Sequence, residues 1–195
     1  MKRKKVLPRI DMNNTTPEQQ AAIDHHLAQG FTITNMKETL LNSVTAFTAL
    51  EEGVYSVKNA LKEKIGARAV LLFAHAVSNG NDCPICGNYA KWALESIGIT
   101  DFSQVEFTDE EMELIEFAAA LCKDPNHVPD EVYEPLQERY DVETMVILLT
   151  YSVLVLANNY WNNIAGTEID DYLYEGNFVD REMDIHEAVA KQNKN

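Results

Sequence analysis

The sequence predicts an all-α protein, and three observations carry that prediction. Apolar residues recur at steps of three and four rather than in alternation. Turn-formers are sparse, with 8 Gly and 6 Pro against 46% hydrophobic residues. No apolar run is bounded by the paired turn signals that would fold it into a hairpin. A chain of 195 residues buries roughly 70% of its unfolded surface and builds a sizeable core without staples.

Each element has its own signal. From Lys37 to Ala60 the set Leu40, Leu41, Val44, Phe47, Leu50, Val54 and Val57 forms one stripe, and Thr34 or Asn35 is placed to cap its start. A second helix is expected over Ala67 to Val77, stopped by Ser78-Asn79-Gly80-Asn81-Asp82. A third starts at Cys83 and Cys86, continues through Tyr89, Trp92, Ala93 and Leu94, and ends near Gly98. Thr108 followed by Glu111 is a capping-box pattern before the apolar run Met112 to Leu121. Asp130 to Tyr140 reads as a short helix with Pro135 inside it. Asp141 to Gly166 has the Val and Ile content of a strand, but its unbroken length makes it a helix, with Met145 to Ala157 as a buried core element too short and too interrupted for a membrane span.

This divides the chain into an N-terminal extension over 1–30, a helical half over 31–100, a second half of the same domain over 101–175, and a C-terminal tail over 176–195 whose last residues, Lys191 to Asn195, are expected to fray. No residue-level repeat relates the halves. The basic start Lys2-Arg3-Lys4-Lys5 is not followed by an apolar stretch, so no export signal is expected.

A net charge of −15 argues against a nucleic-acid partner. Three cysteines, an odd number with two close together, do not make a secreted disulfide framework and point to a cytoplasmic setting. Asp82-Cys83-Pro84-Ile85-Cys86-Gly87 is the one strong local signal. Two thiols three positions apart at a helix start lie close enough to form a disulfide, and the unpaired N–H groups there favour thiolate. Helical surroundings on both sides exclude a thioredoxin βαβ unit. A structural zinc would need Cys122 and His127 as further ligands, at a spacing that fits no common finger, so no metal is expected. The plain alternative is two buried cysteines acting as small hydrophobes.

The run Ala69-Val-Leu-Leu-Phe-Ala-His-Ala-Val-Ser-Asn-Gly-Asn-Asp-Cys-Pro-Ile-Cys86 resembles the central motif of the carboxymuconolactone decarboxylase and alkyl hydroperoxidase D-like superfamily. Asn35 to Ser43 resembles the upstream helix start of the longer members, and Phe107 onward through Asn158-Asn159-Tyr-Trp-Asn162-Asn-Ile-Ala-Gly166 resembles their second half. The resemblance spans about residues 30 to 175. It implies an alkyl hydroperoxidase D-like helical bundle with Cys-x-x-Cys at a helix N-terminus, no cofactor, and a homo-oligomer, a trimer or hexamer. It also implies a thiol-dependent peroxidase or disulfide oxidoreductase acting on a peroxide or disulfide and recycled by a thiol reductant, with Cys86 attacking and Cys83 resolving. Helix-start electrostatics alone nominate Cys83 as the more acidic thiol.

The chain departs from that family in its proton relay. The position four after Cys86 is Ala90 rather than His, and Arg68 to Val77 holds no Asp or Glu. General acid–base help is typically worth a factor of about 10² to 10⁴. His75, eight residues before Cys83, is the candidate substitute, against its reading as a packed histidine. Asp82 beside the thiol would oppose its ionisation. A decarboxylase-like enzyme on a small metabolite and a non-catalytic oligomeric member of the fold are the alternatives. Elsewhere, His25 and His26 read as surface, His127 and His186 as residues without evident partners, and Cys122 as core. Asn158, Asn159, Asn162 and Asn163 read as anchors of helix packing or a subunit contact rather than as catalytic groups.

Overall fold

A computed structural model describes residues 7–179 and 184–193, which leaves the basic run Lys2 to Lys5 outside the described residues. Within them the fold is an all-α bundle with the Cys-x-x-Cys motif at a helix N-terminus. The helices are α1 (Pro17–Ala28), α2 (Asn35–Leu40), α3 (Val44–Phe47), α4 (Gly53–Ile65), α5 (Ala67–Gly80), α6 (Pro84–Glu95), α7 (Asp109–Lys123), α8 (Asp130–Arg139), α9 (Val142–Ala165), α10 (Asp171–Glu175) and α11 (Ile185–Gln192).

Helix α5 is the axis of the bundle. Val70, Leu72, Phe73, Ala76 and Val77 are buried all round it, as expected of a helix with neighbours on every side. It packs against α4, α6, α7, α9 and α11. Phe73 faces Phe117 of α7 and Tyr151 of α9 at ring separations of 6.1 and 6.3 Å. Both expected halves therefore share one core. Helix α11 joins it through Ile185 and Val189, and Gln192 exchanges two hydrogen bonds with the backbone of Phe107. Residues 191–193 are thus tied down rather than frayed, while Lys194 and Asn195 lie outside the described residues.

The expected long helix over Lys37 to Ala60 is broken. Helix α2 ends at Leu40, Ser43 caps α3 by accepting from the Ala46 N–H at 3.3 Å, and a π-helical turn over Thr48–Glu52 leads into α4. The periodicity survives because a π-turn inserts one residue without losing the helical path. Its consequence is positional, since it aims Glu51 inward. The start of α2 is also capped from a distance: Asn35 donates its backbone N–H to Asp170 at 2.8 Å, while the Thr34 side chain makes no capping bond.

A smaller apolar layer, Ile23, Met36, Leu40, Leu41 and Phe47, holds α1, α2 and α3 together. His26 belongs to it, which corrects its assignment to the surface: it is 1% exposed and packed among the rings of Phe31, Phe47 and Tyr55. Burial and the nearby Lys37 lower its pKa to about 4. Its neighbour His25 is exposed, 3.5 Å from Glu52.

Helix α9 is less uniformly buried than its composition implies. Met145, Leu148, Tyr151, Ser152, Val155, Leu156, Asn159 and Asn162 face inward, while Val142, Val146, Val153 and Ile164 form an exposed apolar stripe. At 24 residues it is, among the described residues, one helix long and apolar enough to cross a membrane, with its inner face packed on α4, α5, α6 and α8. Gly166, at φ 66°, closes it in the left-handed conformation that a residue without Cβ adopts most readily.

Candidate active site

The turn after α5 sets the site. Asp82 sits at φ 49°, and the Cys83 N–H reaches back to the Ser78 carbonyl at 3.0 Å, so the chain reverses tightly and presents Cys83 as the N-cap of α6. Pro84 at the first helical position stabilises that start, because its missing N–H is not needed there. Cys86 then lies one turn in, with the two Sγ atoms 2.7 Å apart.

The two thiols differ sharply in electrostatics. Cys83 is 2% exposed. Its hydrogen bond to Cys86, burial and the charge of Cys86 push its pKa up, and these outweigh the 3.4 Å bond it accepts from the Cys86 N–H. Cys86 moves the other way. It accepts from the Cys83 thiol, and Asn162 Nδ2 donates to it at 3.3 Å, so its pKa is lowered despite burial. Helix-start position alone favoured Cys83; side-chain donors to Cys86 reverse the order.

The asparagines of α9 therefore wrap the cysteine turn instead of merely joining helices. Asn162 touches Cys86, Asn159 Nδ2 donates to Ser78 Oγ at 3.3 Å, and Asn163 donates to the Asp82 carbonyl at 3.2 Å. Residues 158, 159, 162 and 163 repeat at helical spacing, and this was the available signal for a polar face.

Cys86 opens onto a cavity of about 140 Å³, the space of about five waters. Its walls are mostly apolar, with Ala90 at the position where the resembled family keeps its histidine. Polar groups nobody would pair from sequence spacing stand around it. Lys37 of α2 donates to Tyr55 Oη at 2.9 Å and to the Thr32 carbonyl at 2.6 Å, and its Nζ lies 3.6 Å from the Glu51 carboxylate. Both members of that ion pair are almost wholly buried. Tyr55 in turn hydrogen-bonds Tyr89, which lies one turn after Cys86. Burial lowers the pKa of Lys37 and raises that of Glu51, each opposed by the other's charge. Burial also raises both tyrosines, leaving their hydroxyls protonated.

His75 lies elsewhere. It is 1% exposed on α5, packed at 5.2 Å against the Phe102 ring, and it lines a second cavity, of about 220 Å³, with Cys83, Asp82 and Lys91. The structure thus groups it with Cys83 and not with the Cys86 cavity. Cys122 is half-buried and donates to the Val77 carbonyl at 3.3 Å, and burial raises it to about 11. His127 and His186 do have partners, Asp124 at 2.8 Å and the Ala76 carbonyl at 2.9 Å. No group of three or more His, Cys, Asp or Glu among the described residues is arranged to hold a metal ion.

No protein-family model matches the chain, and no curated protein sequence does. In fold it is similar to the apo debrominase Bmp8, with a TM-score of 0.70, 17% identity, and coverage of 91% of this chain and 98% of that one. It is equally similar to a cysteine-to-alanine variant of Bmp8 solved in complex with 2,3,4-tribromopyrrole, with a TM-score of 0.71, 16% identity, and coverage of 88% and 95%. At that identity the likeness is one of fold, and it supports the helical architecture expected from the sequence.

Proposed function

We propose that this protein is a thiol-dependent oxidoreductase in which Cys86 attacks an electrophilic substrate and Cys83 resolves the product. The observation that carries this is the pairing of an acidified Cys86, held by Asn162 and facing a mostly apolar cavity, with a protonated Cys83 at 2.7 Å. With a hydroperoxide, the Cys86 thiolate attacks the terminal oxygen, the O–O bond breaks, and the alkoxide takes a proton and leaves as an alcohol. Cys86 becomes a sulfenic acid. Cys83 then attacks the Cys86 sulfur, expelling water and forming the disulfide, which an external thiol reductant returns to two thiols. His75 takes the Cys83 proton in that second step, a role supported by the cavity they share. The resembled relay Glu and His are absent, so a slow peroxidase is expected unless the Lys37 and tyrosine network substitutes.

A second substrate class has one specific observation in its favour, the likeness to a debrominase whose cysteine variant binds tribromopyrrole. There the Cys86 thiolate would take the halogen from carbon, a proton would replace it, and Cys83 would expel halide to form the same disulfide. Homo-oligomerisation and a reducing cytoplasmic setting complete the proposal, the former supported by the exposed apolar stripe of α9. The test is to treat reduced protein separately with cumene hydroperoxide and 2,3,4-tribromopyrrole and to follow Cys83–Cys86 disulfide by intact mass. Disulfide formation with either assigns the class. Thiols that stay reduced with both overturn the proposal.

A further inference from the structure

The cavity beside Cys86 contains two lysines in unequal circumstances. Lys37 is neutralised by Glu51. Lys58 lines the same cavity, with the Tyr55 ring at 5.9 Å, and makes no hydrogen bond or ion pair among the described residues. The charges around it are Lys37 and Lys62, which repel it, and Glu51, which is already engaged. The other carboxylate on the cavity wall, Asp170, accepts the Asn35 N–H that starts α2. A cation partly withdrawn from water without a counter-ion is unfavourable, and in a chain with 31 acidic residues a partner was freely available. Burial lowers Lys58 only to about 8, so it stays mostly charged at pH 7.

The opposite need appears on the α9 wall. Asn158 and Asn162 line the cavity, and their Oδ1 atoms are buried without a hydrogen-bond donor. Asn162, 1% exposed, already gives its Nδ2 to Cys86, so a donor on its Oδ1 would sit beside the reactive sulfur. An orphaned buried acceptor forfeits the hydrogen bond it makes to water in the unfolded chain.

We infer that the cavity is a binding site for a small organic anion whose apolar body is about the size of one benzene ring, with Lys58 anchoring its negative group and the Asn158 and Asn162 amide oxygens accepting from an O–H or N–H at the thiol end. This inference rests on Cys86 as the reacting group and names the substrate class. A carboxylated hydroperoxide satisfies both ends at once, because its own O–O–H is the donor next to Cys86.

Binding is measured first without any chemistry. Isothermal calorimetry on the reduced full-length protein compares benzoate with benzamide, its neutral isostere. Benzoate is expected to bind at least ten-fold more tightly, with Lys58→Met erasing that advantage while leaving benzamide binding unchanged and the thermal midpoint equal or higher. Equal affinities, or a benzoate preference that survives Lys58→Met and Lys58→Gln, overturn the anion site. The second arm follows Cys86 oxidation by 4-(hydroperoxymethyl)benzoate and by its methyl ester. Faster reaction of the acid, lost in Lys58→Met, supports the site. Equal rates overturn it and leave the thiol chemistry standing, whereas benzoate binding through Lys58 with no oxidation by either hydroperoxide supports the site and overturns the peroxide reaction.

Discussion

The two thiols lie 2.7 Å apart at one helix start, yet they face different surroundings. On the Cys83 side are His75 and a cavity of about 220 Å³ under the turn. On the Cys86 side are Asn162, two tyrosines and Lys37, itself ion-paired to Glu51, around a more apolar cavity of about 140 Å³. The difference teaches that a Cys-x-x-Cys motif does not by itself say which thiol is the more acidic. Donors from Cys83 and from Asn162 and Asn159 of α9 lower Cys86.

Exchanging the two cysteines breaks that comparison most completely. Cys86→Ser is expected to abolish reaction with hydroperoxide, whereas Cys83→Ser leaves the first oxidation intact and traps Cys86 as a sulfenic acid, seen as a 16 Da mass increase of roughly one oxygen per chain. Next in size is the support of the Cys86 side. Glu51→Leu leaves Lys37 as an uncompensated buried charge and is expected to lower stability by about 3–5 kcal/mol, read by denaturant unfolding. Adding Lys37→Met to Glu51→Leu recovers most of it, which would show that the pair serves the cavity and not the fold.

Asn162→Ala removes a hydrogen bond to a charged sulfur, worth about 1.5–3 kcal/mol. The Cys86 pKa should rise toward its ordinary value, and the rate of iodoacetamide alkylation at pH 7 should fall about ten-fold, since only the thiolate reacts. The pH profile carries the sign: wild-type Cys86 is alkylated at pH values where Cys83 and Cys122, both raised, are not. The smallest effect sharpens the other side. His75→Gln is expected to slow disulfide closure by about ten-fold or less while leaving the first oxidation of Cys86 within about two-fold, as stopped-flow fluorescence with rapid quench would resolve. A loss in the first step instead would move His75 to the Cys86 side.

Much of the fold was legible because its signals are local. The Thr108–Glu111 capping box, the Asp141 cap and Gly166 stop of α9, and the cysteine start of α6 all sit where sequence spacing puts them. The break after Leu40 was not legible, because the apolar stripe from Leu40 to Val57 runs on through it. His26 was misread as surface for a related reason: its partners Phe31, Phe47 and Tyr55 arrive from three later segments.

The candidate site divides in the same way. The sequence by itself determined the all-α class, the position of Cys83 and Cys86 at a helix start, and the absence of the resembled relay residues, since each depends on neighbours within a turn or two. Only the tertiary structure decided that Cys86 is the more acidic thiol, that His75 stands with Cys83, and that Lys37, Tyr55, Lys58 and Asn162 meet around one cavity. The physical reason is that a pKa and a cavity are properties of groups brought together through space. Those that line the Cys86 cavity come from residues as far apart in the chain as 37 and 162, and no spacing rule relates them.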